Sequence, residues 1–138
     1  MDHQTIRFDV RDQVAFITLS RPEAANSINL AVARELMDAA IRCDADPNVR
    51  AVLLTGAGEK MFSAGGDLKT FARLGEELST TLKEITTYLH SAISHLARMD
   101  APVIAAVNGV AAGAGMSLAM SADVVVAAAS AKFTMAYT

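Results

Sequence analysis

The protein has 138 residues and a mass of 14.5 kDa, the size of one domain or of part of one. Hydrophobic residues make up 52% of the chain and charged residues 20%, so the chain can bury a core and is not of the disordered class. Twelve Lys and Arg residues against fifteen Asp and Glu residues give a net charge of −3. This balance disfavours a nucleic-acid-binding protein, which would usually carry a basic surface.

The sequence contains one cysteine, Cys43, which excludes an internal disulfide and a metal site built from several cysteines. A lone thiol is compatible with a reducing compartment. Residues 1–10 lack the basic start and the apolar run of a signal peptide. We therefore expect a cytoplasmic protein.

The segment 101–122 raises the question of a membrane helix, because it carries no charged residue and is long enough to span a bilayer. Against this, it consists mostly of Ala and Gly and contains Pro102 and Asn108. Its strongest β-formers cluster at residues 103–107, and a glycine-rich break follows them. We therefore interpret the segment as a strand, a turn and a short helix.

In the first part of the chain, the hydrophobic pattern predicts a hairpin, a loop, a helix and a third strand. Apolar and polar residues alternate in the first hairpin strand, and Asn29 is a suitable N-cap for the helix. The predicted bounds are residues 6–10 and 14–19 for the hairpin strands, 20–29 for the loop, 30–43 for the helix and 49–55 for the third strand.

The second part predicts a glycine-rich loop at residues 56–66, after which Asp67 is a suitable cap for a short helix that extends to Leu74. A long helix, a buried strand, a turn, a helix of small residues and two further strands follow. Their predicted bounds are 79–99, 103–107, 108–113, 114–122, 123–128 and 133–137. Because strands alternate with helices, we expect an α/β fold with parallel strand pairing.

Two segments, residues 52–71 and 103–120, share one design: a strand, a glycine-rich turn and the start of a helix. A helix start leaves backbone N–H groups unpaired and carries partial positive charge. Two such starts that face one point would form an oxyanion hole, which polarises a carbonyl and stabilises the negative charge that develops on its oxygen.

Two other interpretations of the glycine-rich segments stay open: a phosphate-binding loop, and tight packing without a ligand. Gly56 and Gly58 are not followed by a glycine three residues later, so the dinucleotide-binding fingerprint is incomplete. The phosphate-binding pattern that ends in Gly-Lys-Ser or Gly-Lys-Thr is also missing from the sequence.

Several motifs occur together along the chain. They are Arg21-Pro22 with Asn-Ser-Ile-Asn at 26–29, Phe-Ser-Ala-Gly-Gly-Asp-Leu-Lys at 62–69, Pro-Val-Ile-Ala-Ala-Val-Asn-Gly at 102–109, Gly-Ala-Gly-Met-Ser-Leu-Ala at 113–119, and Ser-Ala-Asp at 121–123 with Ala-Lys-Phe at 131–133. In these motifs the sequence resembles the crotonase superfamily, also called the enoyl-CoA hydratase/isomerase family. The resemblance implies a ClpP/crotonase-type spiral of ββα units. Residues 1–138 would be the N-terminal part of a single domain, with the C-terminal part of the family fold absent.

The resemblance also implies a substrate and a site. The backbone N–H groups of Gly66 and Ala114 would hold the thioester carbonyl oxygen of an acyl-CoA and stabilise its enolate. The residues expected along the CoA path are Ala24, Ala64, Gly65, Asp67 and Leu68. The CoA thioester is itself the substrate, so no cofactor and no metal are expected. The family further suggests a homotrimer or hexamer, without a nucleic-acid or membrane partner.

Two positions depart from the family pattern. Family hydratases use two glutamates to handle the water and the α-proton, and the matching positions here are Ser117 and Tyr137. Neither residue is a general base near pH 7. The resemblance therefore implies enoyl-CoA double-bond isomerisation, or hydration with a displaced acid, which in some isomerase branches lies on a loop beyond the position of residue 138.

Two alternative functions follow from these departures. One is a non-catalytic acyl-CoA-binding or scaffold protein, because no acid stands at the usual positions. The other is an enzyme similar to 4-chlorobenzoyl-CoA dehalogenase, which has a histidine near His90 and an aromatic residue near Tyr137. We expect His90 to be a surface or interface residue rather than a base. Its five-residue separation from His95 does not suit a shared metal ion.

The remaining charged candidates have two interpretations each. Arg21, Lys60 and Lys69 could contact the CoA phosphates, or they could be solvated surface cations. We expect Asp67 to be a helix cap rather than a catalytic acid.

Overall fold

The computed structural model describes residues 2–135. Within that range the strands are β1 (Ile6–Arg11), β2 (Val14–Leu19), β3 (Ala51–Gly56), β4 (Met61–Ser63), β5 (Val103–Val107), β6 (Val110–Ala112), β7 (Val124–Ala127) and β8 (Lys132–Thr134). The helices are α1 (Leu30–Ala45), α2 (Leu68–Phe71), α3 (Leu78–Arg98) and α4 (Ala114–Met120). Two short 3-10 turns lie at Pro22–Ala24 and Gly75–Glu77.

The larger sheet has five strands in the order β1-β2-β3-β5-β7. β1 and β2 pair antiparallel, and their turn places Asp12 and Gln13 at φ values of 50° and 68°. The other neighbours in this sheet pair parallel. The predicted hairpin and the predicted parallel pairing are therefore confirmed.

The second sheet has three parallel strands in the order β4-β6-β8. Sequence analysis had assigned β4 to a loop at 56–66 and β6 to a turn at 108–113, and both assignments were wrong. A three-residue strand is too short to show an alternating pattern, and these strands form because their backbones pair with one another. The chain thus adds one strand to each sheet in turn and forms the expected α/β spiral.

Other element bounds also differ from the predicted ones. α2 ends at Phe71 and not at Leu74, and the chain continues through a turn in which Gly75 has a φ of +56°. The small-residue helix ends at Met120, two residues early, and the strand after it covers only Val124–Ala127. The predicted last strand begins one residue earlier, at Lys132, and part of it lies outside the described residues.

The core lies where α1 and α3 pack together against the larger sheet. α1 begins at the predicted cap, because the Asn29 side chain accepts a hydrogen bond of 2.9 Å from the Val32 N–H. Inward residues of both helices and of the central strands are almost fully buried, among them Leu36, Ala92, Ile17, Leu54 and Ala105. Alternate strand residues fill this core, as expected for a sheet with a covered face.

Within residues 2–135, no helix combines the length and the apolar character needed to cross a membrane. The uncharged segment 101–122 contains β5, β6 and α4 instead of one continuous helix. The prediction that this segment is not one membrane helix is therefore confirmed, although β6 occupies part of the predicted turn.

A buried carboxylate joins the start of the chain to α1. Glu35 is 6% exposed, and its carboxylate accepts hydrogen bonds from the N–H groups of Gln4 and Thr5 and from the Thr5 hydroxyl. Since buried polar groups need partners, this cluster fixes where β1 enters the sheet.

We expect Glu35→Ala to lower the free energy of unfolding by about 2–3 kcal/mol, because it leaves two N–H groups and a hydroxyl without their acceptor. Urea denaturation at neutral pH measures the change. Glu59→Ala, at an exposed position in the β3–β4 turn, is the matched control and should change stability by less than about 0.5 kcal/mol. Equal effects of the two substitutions would contradict this role for Glu35.

Candidate active site

The loop after β4 is held against residues 25–28 by main-chain hydrogen bonds. Ile28 donates from its N–H to the Gly65 carbonyl at 2.7 Å, and the Ile28 carbonyl accepts from the Asp67 N–H at 3.1 Å. This is an isolated parallel bridge between Ile28 and Gly66. In this bridge the residues on either side of Gly66, namely Gly65 and Asp67, make the hydrogen bonds to Ile28. The N–H group of Gly66 itself is therefore directed away from Ile28.

The second amide stands at the start of α4. Gly113 precedes the helix with φ 54° and ψ −122°, a conformation suited to glycine, and its N–H donates to the Thr134 carbonyl at 2.9 Å. The first helical bond runs from the Ser117 N–H to the Gly113 carbonyl at 3.1 Å. Ala114 is the first helical residue, so its N–H has no partner within the helix.

The two segments touch because glycine occupies both contact points. A Cβ placed on Gly65 would lie 2.8 Å from the Ala112 carbonyl oxygen and 3.4 Å from the Ala114 nitrogen. A Cβ on Gly115 would lie 2.5 Å from the Ser63 carbonyl oxygen. The Ala114 amide therefore lies beside the residue that precedes Gly66. Neither the Gly66 nor the Ala114 N–H donates a hydrogen bond to another residue in the range 2–135.

Two asparagine side chains hold the turn between β3 and β4. Asn26 is 1% exposed, and its Nδ2 donates to the carbonyls of Ala57 and Met61, both at 3.0 Å. Asn108 donates from its Nδ2 to the same Met61 carbonyl at 3.0 Å and to that of Gly58 at 2.8 Å. Sequence analysis gave neither asparagine a role, because a sequence does not show which distant carbonyls a side chain will meet.

An ion pair joins the two loops that border the site. Arg21 donates from Nη2 to the Asp67 carboxylate at 3.1 Å, and from Nη1 to the Ser27 carbonyl at 2.8 Å and the Ser27 hydroxyl at 3.2 Å. The other Asp67 oxygen accepts from the Thr70 N–H at 3.1 Å and caps α2, which confirms the expected cap. The interpretation of Arg21 as a solvated surface cation was wrong, because its side chain is only 17% exposed and its guanidinium binds Ser27 and Asp67. A contact between Arg21 and the CoA phosphates stays a prediction.

The environment of Asp67 has opposing effects on its acidity. Burial by itself raises the pKa of the carboxyl, but the hydrogen bonds from Thr70 and Arg21, together with the Arg21 charge, outweigh burial and hold the pKa of Asp67 below its usual range. Asp67 therefore stays charged and bound to Arg21 at neutral pH. Such a carboxylate is suited to structural support and not to accepting a proton near pH 7.

A cavity of about 320 Å³ lies between these loops. It is lined by Glu23, Ala24, Ala25, Ser27, Ala64, Gly66, Asp67, Leu68 and Lys69. The structure thus brings together five predicted site residues: Ala24, Ala64, Gly66, Asp67 and Leu68. Gly65 is buried behind this wall, against α4, and Ala114 is half-buried beside it.

The other predicted site residues lie away from this cavity. Ser117 is exposed on α4, three residues after Ala114, and His90 is exposed on α3. Lys60 is exposed in the β3–β4 turn, whereas Lys69 is exposed at the cavity wall. Tyr137 lies outside the described residues.

A larger cavity, of about 600 Å³, lies at the opposite end of the parallel strands, where β3 and β5 begin. Its wall carries charges of both signs, including Asp44, Asp100, Arg50 and Arg98. Ligands of parallel α/β sheets bind at the carboxyl ends of the strands, and the smaller cavity has that position. Among residues 2–135, no cluster of three or more His, Cys, Asp or Glu side chains is arranged to hold a metal ion.

Comparison with known sequences relates this site to a family. The sequence pattern of the family described as enoyl-CoA hydratase/isomerase matches residues 9–138. A probable enoyl-CoA hydratase of Rhodobacter capsulatus is 45% identical over 138 residues, which are 100% of this chain and 51% of that protein. The 1,2-epoxyphenylacetyl-CoA isomerase of Escherichia coli is 40% identical over 131 residues, 94% of this chain and 49% of that protein.

Solved structures agree with the sequence comparison. The crystal structure of an enoyl-CoA hydratase from Bacillus anthracis matches with a TM-score of 0.85 at 37% identity, over 94% of this chain and 50% of that chain. This chain therefore spans about half the length of the relatives it matches. Since the family pattern extends over residues 9–138, the resemblance found in the sequence is confirmed, and the chain belongs to the enoyl-CoA hydratase/isomerase family.

Proposed function

We propose that the protein binds the thioester of an enoyl-CoA and stabilises its enolate, in double-bond isomerisation or in hydration. The observation that supports this most directly is the pair of amides at Gly66 and Ala114. They belong to touching backbone segments, and neither donates to an acceptor within residues 2–135. A thioester oxygen that accepts from both would become more stable as it gains negative charge.

Both proposed donors are fixed before any substrate arrives, which is what makes such donors effective in catalysis. The Gly66 peptide is held by the bridge to Ile28. The Ala114 peptide is held by the first turn of α4 and by the bond from Gly113 to Thr134. The partial positive charge of a helix start adds to the field at Ala114.

The cavity beside Gly66 suits the CoA part of the substrate. Its walls include the small residues Ala24 and Ala64, and Leu68, which is 77% exposed. An exposed leucine at a cavity wall offers apolar surface to the pantetheine arm or the adenine ring. The exposed Lys69 lies at the same wall, where its charge suits a CoA phosphate.

The described residues are better suited to enolate stabilisation than to proton transfer. Ser117 is exposed three residues after Ala114, and a serine hydroxyl is not a base near pH 7. Asp67 is bound to Arg21 and caps α2. Isomerisation needs a single group to move a proton over one enolate, so we favour it over hydration by two glutamates.

A protein that binds acyl-CoA without turning it over is the second candidate, and the same two observations at Ser117 and Asp67 favour it. The exposed position of His90 on α3 gives no support to chemistry of the 4-chlorobenzoyl-CoA dehalogenase type. As family-based expectations, our proposal includes a homotrimer or hexamer, a cytoplasmic location, and residues 1–138 as the N-terminal part of one domain.

Ala114→Pro tests the proposed oxyanion donor with little structural cost, because proline is well tolerated at the first position of a helix. In the whole protein, we expect kcat with an enoyl-CoA to fall about 100- to 1,000-fold through loss of one donor. Ala114→Val adds comparable bulk but keeps the N–H, and it should retain most of the activity. Equal losses in the two variants would assign the effect to bulk and would count against the amide.

Gly66→Pro removes the other amide and should abolish turnover. Its control is Gly66→Ala, because a Cβ at this position would lie 2.8 Å from the Phe71 ring in both variants.

Deuterium uptake from D₂O at the α-carbon of a saturated acyl-CoA provides a second measurement, since it reports enolate formation alone. Binding of the acyl-CoA without deuterium uptake in the unmutated protein would favour the non-catalytic candidate.

Lys69→Met should raise KM for an enoyl-CoA by up to about fivefold, as expected for one exposed ion pair. The same substitution should not change KM for the matching enoyl-pantetheine, which lacks the phosphates. Lys83→Met, at an exposed position on α3, is the control. An equal rise in KM for both thioesters would exclude a phosphate contact.

A further inference from the structure

We infer that Arg21 is a positioning residue for the reaction proposed above: it fixes the Gly66 amide by joining the two walls of the cavity. The inference rests on the proposed function, since it assigns Arg21 to the oxyanion donor and not to the CoA phosphates. Arg21 acts through the backbone and does not touch the substrate itself.

The guanidinium spans the gap between the two walls. One wall comes from residues 23–27 and the other from residues 64–69. Arg21 reaches the first wall at Ser27 and the second at Asp67. The side chains of Arg21 and Asp67 are only 17% and 9% exposed, so solvent and salt screen the attraction between them far less than in a surface ion pair.

The position of Gly66 depends directly on the residues that Arg21 joins. Gly66 lies between Gly65 and Asp67, which both bond to the backbone of Ile28. Ser27 precedes Ile28, and Asp67 follows Gly66. A shift of the Ser27 side of the gap relative to Asp67 would therefore rotate the Gly66 peptide plane and re-aim its N–H.

The loop that carries Arg21 needs such a holding contact. Ala25 and Asn26 have φ values of 55° and 53°, and two consecutive non-glycine residues in the left-handed region are uncommon. The main chain of Arg21 also holds this loop, because its N–H donates a hydrogen bond of 2.9 Å to the Asn26 side chain. Arginine suits this place because its rigid fork presents several donors in one plane.

The ion pair also predicts a pH dependence of stability. Arg21 is the charged group in contact with Asp67, and the nearby Lys69 is exposed. Because the pKa of Asp67 is held below its ordinary value of 3.8, the stabilisation is fully present above that value and is lost as the pH falls through the lowered pKa. The stability difference between the unmutated protein and Asp67→Asn should be constant from about pH 7 to 5 and shrink below about pH 4. A difference unchanged at pH 3 would exclude the charged pair.

The kinetic test compares Arg21→Met with the unmutated protein on an enoyl-CoA and on the matching enoyl-pantetheine. We expect kcat to fall about 10- to 100-fold on both thioesters by the same factor, because a misplaced donor affects the chemical step whatever the tail of the substrate. Arg21→Lys, which keeps the charge but not the fork, should recover only part of the loss. Arg73→Met, at an exposed arginine just beyond α2, is the matched control.

The outcomes of this kinetic comparison distinguish a positioning role of Arg21 from phosphate binding and from a purely structural role. A loss confined to the enoyl-CoA and seen mainly in KM would show that Arg21 binds the phosphates. Unchanged kcat in a folded Arg21→Met protein would exclude positioning. A lowered melting temperature with unchanged kcat and KM below that temperature would show a purely structural role. Failure of the unmutated protein to turn over or α-deuterate any acyl-thioester would instead count against the proposed function.

Amide hydrogen exchange supplies a measurement that needs no substrate. In Arg21→Met, we expect the N–H groups of Ile28 and Asp67 to exchange at least about tenfold faster, because their bonds close the bridge around Gly66. The Val32 N–H, capped by Asn29 in the same part of the chain, should keep its rate. Unchanged exchange at Ile28 and Asp67 would overturn the inference even if activity were lost.

Discussion

The structure depends on the close contact of two backbone segments: the end of β4 with the loop after it, and the end of β6 with the start of α4. This contact is possible only because Gly65 and Gly115 have no side chain: a Cβ at either position would collide with the carbonyl of the facing segment. Interiors are packed too densely to absorb such a collision without moving the backbone. The same contact places the helix start at Ala114 beside the loop that carries Gly66, so the candidate site follows directly from the packing.

Close backbones must still satisfy their hydrogen-bonding groups, and here side chains from distant parts of the sequence do so. Asn26 and Asn108 share the Met61 carbonyl as acceptor, while Arg21 binds the Ser27 carbonyl and the Asp67 carboxylate. The described residues contain no buried side-chain nitrogen or oxygen without a partner. The amides of Gly66 and Ala114 contrast with this, because neither donates within residues 2–135. Main-chain donors without a partner beside a cavity are the groups we expect to meet a ligand.

Local signals in the sequence were sufficient for the longer elements. The hairpin, the helix that starts after Asn29, and the cap at Asp67 were all predicted, because hydrophobic period and capping chemistry act over a few residues. The glycine-rich helix starts were also identified as the place to look for a site. The strands β4 and β6 were missed, since three residues carry no period and pair only with strands far away in the sequence. The ion pair of Arg21 was missed for the same reason: a sequence shows a cation but not the carboxylate 46 residues later to which it donates.

By itself, the sequence determined the α/β class, the family and the two glycine-rich segments, since composition, period and motif order are local properties of the chain. Only the tertiary structure decided which residues meet. It placed Ala24, Ala64, Gly66, Asp67 and Leu68 around one cavity, left Ser117 and His90 exposed, and brought the Ala114 amide beside Gly65. These outcomes depend on how successive strands are added to two sheets, and that arrangement is fixed by long-range backbone pairing, which no short stretch of sequence records.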